Sequence, residues 1–130
     1  MKVILISNYC STNAYNFLFD ENSRVTQQNQ KYLRLLCEGL IANDVDINAI
    51  SVPPISRANC KRSIVKLKND NENAIVFDYV KVTNVPIVRN ILSLFRSTWK
   101  ILRINKKNRD AVILVDLLNV TSTLSAVIAK

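Results

Sequence analysis

Two rhythms of apolar and polar positions divide the chain into elements. KVILIS, from Lys2 to Ser7, is a short β-branched run and predicts a buried strand. The polar stretch from Asn8 to Thr26 predicts a loop, with Thr26 as the N-cap of the next helix. From Gln27 to Ala42, the apolar residues Tyr32, Leu33, Leu36, Cys37, Leu40 and Ile41 fall on one face of that helix. Asn43-Asp44 makes a turn, and Val45 to Val52 is a second strand, ended by Pro53-Pro54 because proline cannot donate to a ladder.

Beyond the prolines, Arg57 to Lys68 is basic with weak helical character, and Asn69 to Asn73 reads as a polar turn. Ala74 to Val82 is a third extended segment. Pro86 sits near the start of a long helix that reaches about Asn105, a position where proline is tolerated. Asp110 to Leu118 is apolar almost throughout, as expected of a fourth strand covered on both faces. Asn119 to Lys130 predicts a final helix capped by Asn119 or Thr121. This order implies an α/β fold, Rossmann-like, with a mostly parallel sheet in the order 3-2-1-4 and helices on both faces.

Length fits a single domain over residues 1–130. The chain stops within the apolar helix SAVIAK, which leads into no further strand, so the domain is expected to be incomplete and the chain to be the front part of a longer protein. The reading frame after Lys130 tests that expectation. Apolar runs of four or five residues are far short of the roughly 20 needed to span a bilayer, and Met1-Lys2 does not open a signal peptide, so the expected address is cytoplasmic.

Composition narrows the chemistry. There is no histidine, which removes Ser-His-Asp and Cys-His catalysis and most zinc and iron sites. Cys10, Cys37 and Cys60 are odd in number and widely spaced, so they read as reduced thiols. Cys10 has no histidine to activate it and reads as structural. The first loop, SNYCSTN, lacks the glycines that let a backbone approach a pyrophosphate, and no P-loop is present. The only glycine, Gly39, lies inside the first long helix, where close approach of that helix to the sheet is its expected role.

Charge is uneven. The net charge is +8, and residues 51–109 hold thirteen Lys/Arg against Asp70, Glu72 and Asp78. Such a segment suggests an anionic partner. On the long helix, Arg89, Arg96, Lys100, Arg103 and Lys107 fall within a stripe of about 60°. Trp99 lies on its margin, beside an apolar arc of Val88, Ile91, Leu92, Phe95 and Leu102. That pattern fits an anionic membrane surface, with part of the apolar arc expected to cover the sheet.

In an open α/β sheet, ligands bind outside the carboxyl ends of the strands, near the switch in strand order. The residues expected there are Ser7, Asn8, Tyr9 and Asn13 from the first strand, and Asp116 and Asn119 from the fourth. Their hydroxyls, amides and single carboxylate suit a sugar or other polyol acceptor.

MKVILIS, QKYLRLLCEGLIANDVDINAISVPP, PIVRNILSLFRSTWKIL and DAVILVDLLNVTSTLSAVIAK together resemble the N-terminal domain of the retaining glycosyltransferases of family four, which have the GT-B fold. That resemblance implies an acceptor-binding half that often rests on a membrane surface. The nucleotide-sugar site would belong to a C-terminal domain absent from this chain, supplied in cis or by a partner chain. The function it implies is the acceptor side of an enzyme transferring sugar to a polysaccharide or lipid-linked acceptor. This chain alone is then expected to be inactive, with no metal and no cofactor of its own, the nucleotide-sugar donor entering only in the full-length protein. The alternative is a basic, non-catalytic binding module for an anionic membrane surface or nucleic acid. The nucleic-acid version is disfavoured, because exposed aromatics and glycines do not interleave with the basic groups.

Overall fold

A computed structural model describes residues 1–19, 27–107, 110–116 and 120–128. Within them the sheet is five-stranded and mostly parallel. Its strands are β1 (Lys2–Ser7), β2 (Asp46–Ser51), β4 (Asp70–Glu72), β5 (Ile75–Tyr79) and β7 (Val112–Val115), in the order β4-β5-β2-β1-β7. Only the edge strand β4 is antiparallel. The sequence-derived order 3-2-1-4 corresponds to β5-β2-β1-β7. Helices α1 (Thr12–Leu18), α2 (Gln27–Ile41), α3 (Pro86–Lys107) and α4 (Val120–Ile128) complete the layers, and a separate two-stranded ribbon pairs β3 (Ile64–Val65) with β6 (Val82–Thr83).

β1 lies between β2 and β7 and is buried from Val3 to Ser7, which accounts for its unbroken apolar run. The connection β1-α2-β2 crosses the sheet one way and β5-α3-β7 the other. Right-handed crossovers therefore set α2 and α3 on opposite faces. α2 turns Leu33 and Cys37 into the core, with Leu36, Leu40 and Ile41 partly buried against it. Tyr32 is exposed.

Several expectations need correcting. The loop after β1 contains a short helix, α1, capped by the Ser11 side chain, which accepts from the Ala14 N–H at 3.2 Å. Arg57 to Lys68 is not helical. It opens with a turn over residues 57–59 and then leads into β3, and Asn84 pins it by donating to the carbonyls of Cys60 (2.7 Å) and Arg62 (3.2 Å). The segment Ala74 to Val82 divides into β5 and β6. Asn69 to Asn73 holds strand β4, which returns into β5 through Asn73-Ala74, both at positive φ (50° and 64°). A two-residue hairpin of the right twist requires that conformation, which is usually given to glycine.

Gly39 is a further correction. It is exposed, and a Cβ added there would meet nothing within 4 Å. The helix geometry explains why: Gly39 is about 200° around the helix from buried Cys37. The predicted caps Thr26 and Asn119 lie outside the described residues.

Candidate binding site at the carboxyl ends of the strands

In a parallel sheet, each helix that succeeds a strand begins at that strand's carboxyl end. The first turns of α2 and α3 therefore open on the same rim as the loop after β1. The sequence of those turns, QQNQ and PIVRN, supplies amides and a guanidinium to the rim.

Side chains bridge the strand ends at the expected crevice between β1 and β7, and a cavity of about 320 Å³ lies beside them against α2, lined by Leu5, Leu33, Leu114, Val115 and Asp116. Asn29, on the first turn of α2, donates to Asn8 Oδ1 at 2.9 Å and to Asp116 Oδ2 at 3.3 Å. Gln30 accepts from the Cys10 N–H at 3.0 Å and donates to the Asn8 carbonyl at 2.8 Å. Asn8 and Asp116 are thus brought together by Asn29 while Gln30 holds the Asn8 backbone, and both amides lie away from the strand ends in sequence. The signal for them was present in the amide-rich QQNQ.

The other expected residues diverge. Ser7 is fully buried, and its hydroxyl accepts from the Tyr9 N–H at 3.1 Å, which removes it from direct contact with a ligand. Tyr9 is buried with its ring edge-on to Phe77, centroids 5.2 Å apart, and burial pushes its phenol pKa up. Asn13 is exposed on α1. Asn119 lies outside the described residues.

The β1 loop is held from the far edge of the sheet. Glu72 of β4 accepts from the Thr12 N–H (2.6 Å) and hydroxyl (2.7 Å), while Asp70 accepts from the Ser11 hydroxyl at 2.8 Å. The Tyr79 hydroxyl meets both the backbone N–H and the side chain of Ser11. Cys10 is enclosed by this arrangement, and burial pushes its thiol from 9.0 up to about 12. A thiol in that state is neutral at physiological pH and is no nucleophile.

Two cavities flank Asn8. The larger, about 450 Å³, lies between α1 and α2 and is bordered by Tyr9, Tyr15, Lys31 and Arg34. The smaller, about 320 Å³, lies where β1 and β2 end against α3. It is lined by Asn8, the segment Val52 to Ser56, Val82, Arg89, Asn90 and Ser93. We take the smaller as the candidate site, because it meets the ends of two adjacent central strands and its described lining mixes amides, hydroxyls and a guanidinium without a carboxylate. Arg89 enters it with Nη1 bonded to the Ile55 carbonyl at 2.6 Å.

The basic stripe of α3 has a different use from the one its spacing suggested. Arg96 donates to the Lys81 carbonyl at 2.8 Å. Lys100 donates to the Tyr79 carbonyl at 2.7 Å and pairs with Asp78 at 3.2 Å. Arg103 is exposed, and Lys107 lies on the last turn. Of the apolar arc only Leu92 is partly buried. Val88, Ile91, Phe95, Trp99 and Leu102 all face outward, while Ser93, Ser97 and Ile101 are buried. Ser97 donates to the Ser93 carbonyl at 2.7 Å and pairs with the Ser125 hydroxyl of α4.

No group of histidine, cysteine or acidic side chains among the described residues could hold a metal ion. No described helix is long and apolar enough to cross a membrane. No protein-family model, curated protein or solved structure matches this chain.

Proposed function

We propose that this chain is the acceptor-side part of a glycosyltransferase, Rossmann-like and belonging to a GT-B architecture, whose nucleotide-sugar site lies in a second domain. The observation that carries this reading is the cavity between β2 and the first turns of α3, where hydroxyl, amide and guanidinium groups gather at the carboxyl ends of the strands. Such groups orient a polyol through directed hydrogen bonds. The resemblance of four segments of the chain to family four adds the reaction: transfer from a nucleotide-sugar to a polysaccharide or lipid-linked acceptor. Positioning is the role of this half. The first loop has no glycine for a diphosphate, so the donor is assigned elsewhere.

Equilibrium binding tests this directly. The isolated chain is expected to bind saccharide acceptors and to show neither binding nor turnover of uridine-diphosphate sugars. Donor binding without acceptor binding would reverse the assignment.

A second reading concerns membrane contact, and it rests on the outward stripe rather than on the basic one. Phe95 and Trp99 are 69% and 74% exposed on α3, with Val88, Ile91 and Leu102 on the same face and Arg103 exposed beside them. An apolar helix face with a cation at its margin suits the interface of a bilayer. Trp99 is the only tryptophan, so its fluorescence reports this contact alone. A blue shift on anionic vesicles is expected. An unchanged spectrum at saturating lipid would remove the membrane reading and leave the acceptor reading intact.

A further inference from the structure

The cavity between β2 and α3 has a chemical bias that goes beyond polyol binding. We infer that it receives its acceptor through an oxyanion, a phosphate or carboxylate carried on the sugar; this rests on the acceptor reading above. Among the described lining side chains Arg89 carries the only formal charge, and none of them is acidic. Its Nη1 is bonded to the Ile55 carbonyl, which fixes the guanidinium plane, and a guanidinium has more donors than one carbonyl can take.

A second and independent observation comes from Ser93, one turn further along α3. Ser93 is 2% exposed, lines the same cavity, and its hydroxyl has no hydrogen-bond partner among the described residues. A buried hydroxyl without a partner carries a desolvation cost that is recovered when a ligand oxygen accepts from it. Asn8 and Asn90 add amide donors on the same lining. The amino end of α3 opens there as well, and its macrodipole favours negative charge. All of these contributions have one sign. A neutral sugar would leave the guanidinium partly desolvated without a counter-charge, whereas an oxyanion answers it in the strongest hydrogen-bond geometry available to arginine.

The test is a set of titrations of the 130-residue chain. The probes are methyl glucoside, glucuronate and glucose 6-phosphate, at a salt concentration of about 0.15 M so that the general positive charge is screened. Affinity for one or both anionic sugars should exceed that for methyl glucoside by about tenfold or more. The glucuronate and phosphate arms tell the two oxyanions apart. Arg89→Gln should erase that preference, while the charge-matched control Lys66→Gln, on an exposed residue, should preserve it.

Ser93→Ala separates ligand contact from structure. It should weaken anionic binding about three- to tenfold while leaving the melting temperature equal or higher, because the hydroxyl it removes has no partner among the described residues. A lower melting temperature with unchanged affinity would assign Ser93 a structural role and overturn its part. Equal affinity for neutral and anionic sugars overturns the oxyanion inference and leaves the acceptor reading standing. Binding of none of the probes, at concentrations that saturate weak saccharide sites, overturns both.

Discussion

Helices α2 and α3 are the two helical crossovers among the described residues of the sheet, and they are oriented in opposite senses. α2 presents its apolar stripe inward and leaves polar residues in water. α3 packs through Ser93, Ser97 and Ile101, and leaves Val88, Ile91, Phe95, Trp99 and Leu102 outside. Both are amphipathic, so periodicity alone would treat them alike. Amphipathicity gives the angle between two faces; which face turns inward depends on what the partner surface offers. For α2 that surface is the apolar sheet. For α3 it includes the serine of α4 and the carbonyls of Tyr79 and Lys81, which draw Lys100 and Arg96 toward the body of the protein. α3 thus packs through serines and leaves an apolar, aromatic-bearing face exposed.

The largest expected contrast is between truncations of one apolar side chain on each helix. Leu33→Ala on α2 should cost about 2–5 kcal/mol in denaturant unfolding. Phe95→Ala on α3 should stay within about 0.5 kcal/mol, as for a surface side chain. Comparable losses at both positions would contradict the outward orientation of α3.

Alkaline pH gives a second contrast. Burial pushes Cys37 of α2 up to about 11 and Cys10 up to about 12, from ordinary values of 9.0. Tyr9, Tyr15 and Tyr79 are raised for the same reason. These acids ionise in the unfolded chain before they do so in the folded one, so their contribution is complete below pH 9 and is lost as pH rises toward the folded values. Unfolding free energy should therefore fall steadily above about pH 9. A flat profile from neutral pH to pH 11 would show that these groups are not buried as described.

Smaller effects sharpen the solvent side. Ala74→Gly should stabilise by about 1 kcal/mol, because φ of 64° places a Cβ against the following carbonyl. Gly39→Ala should stabilise by up to about 1 kcal/mol, since helix propensity improves and the added methyl meets nothing. A loss at Gly39 would restore the idea of close packing there.

The strand order was legible because β1 and β7 are apolar runs and helical lengths separate β1 from β2 and β5 from β7. α1 was not, since seven residues carry too few turns for a period to emerge from a polar loop. The β4-β5 hairpin was obscured because Asn73-Ala74 takes a conformation that sequence signals assign to glycine. At the rim, Asn8 and Asp116 could be placed from their positions at strand ends, whereas Asn29 and Ser93 depend on where helix first turns fall in space. Arg89 was visible only as one of a row of cations; its distinct position comes from the Ile55 carbonyl, a contact no spacing rule contains.

The central claim is that the acceptor enters between the ends of β1 and β2 and the first turns of α3. Amide NMR of the isotopically labelled chain, titrated with a sugar phosphate, tests it most directly. The account predicts saturable shifts at Asn8, Ile55, Asn90 and Ser93, with Lys31 and Arg34 beside the larger cavity unmoved. Shifts confined to Lys31 and Arg34, or equal shifts at both places, would contradict it.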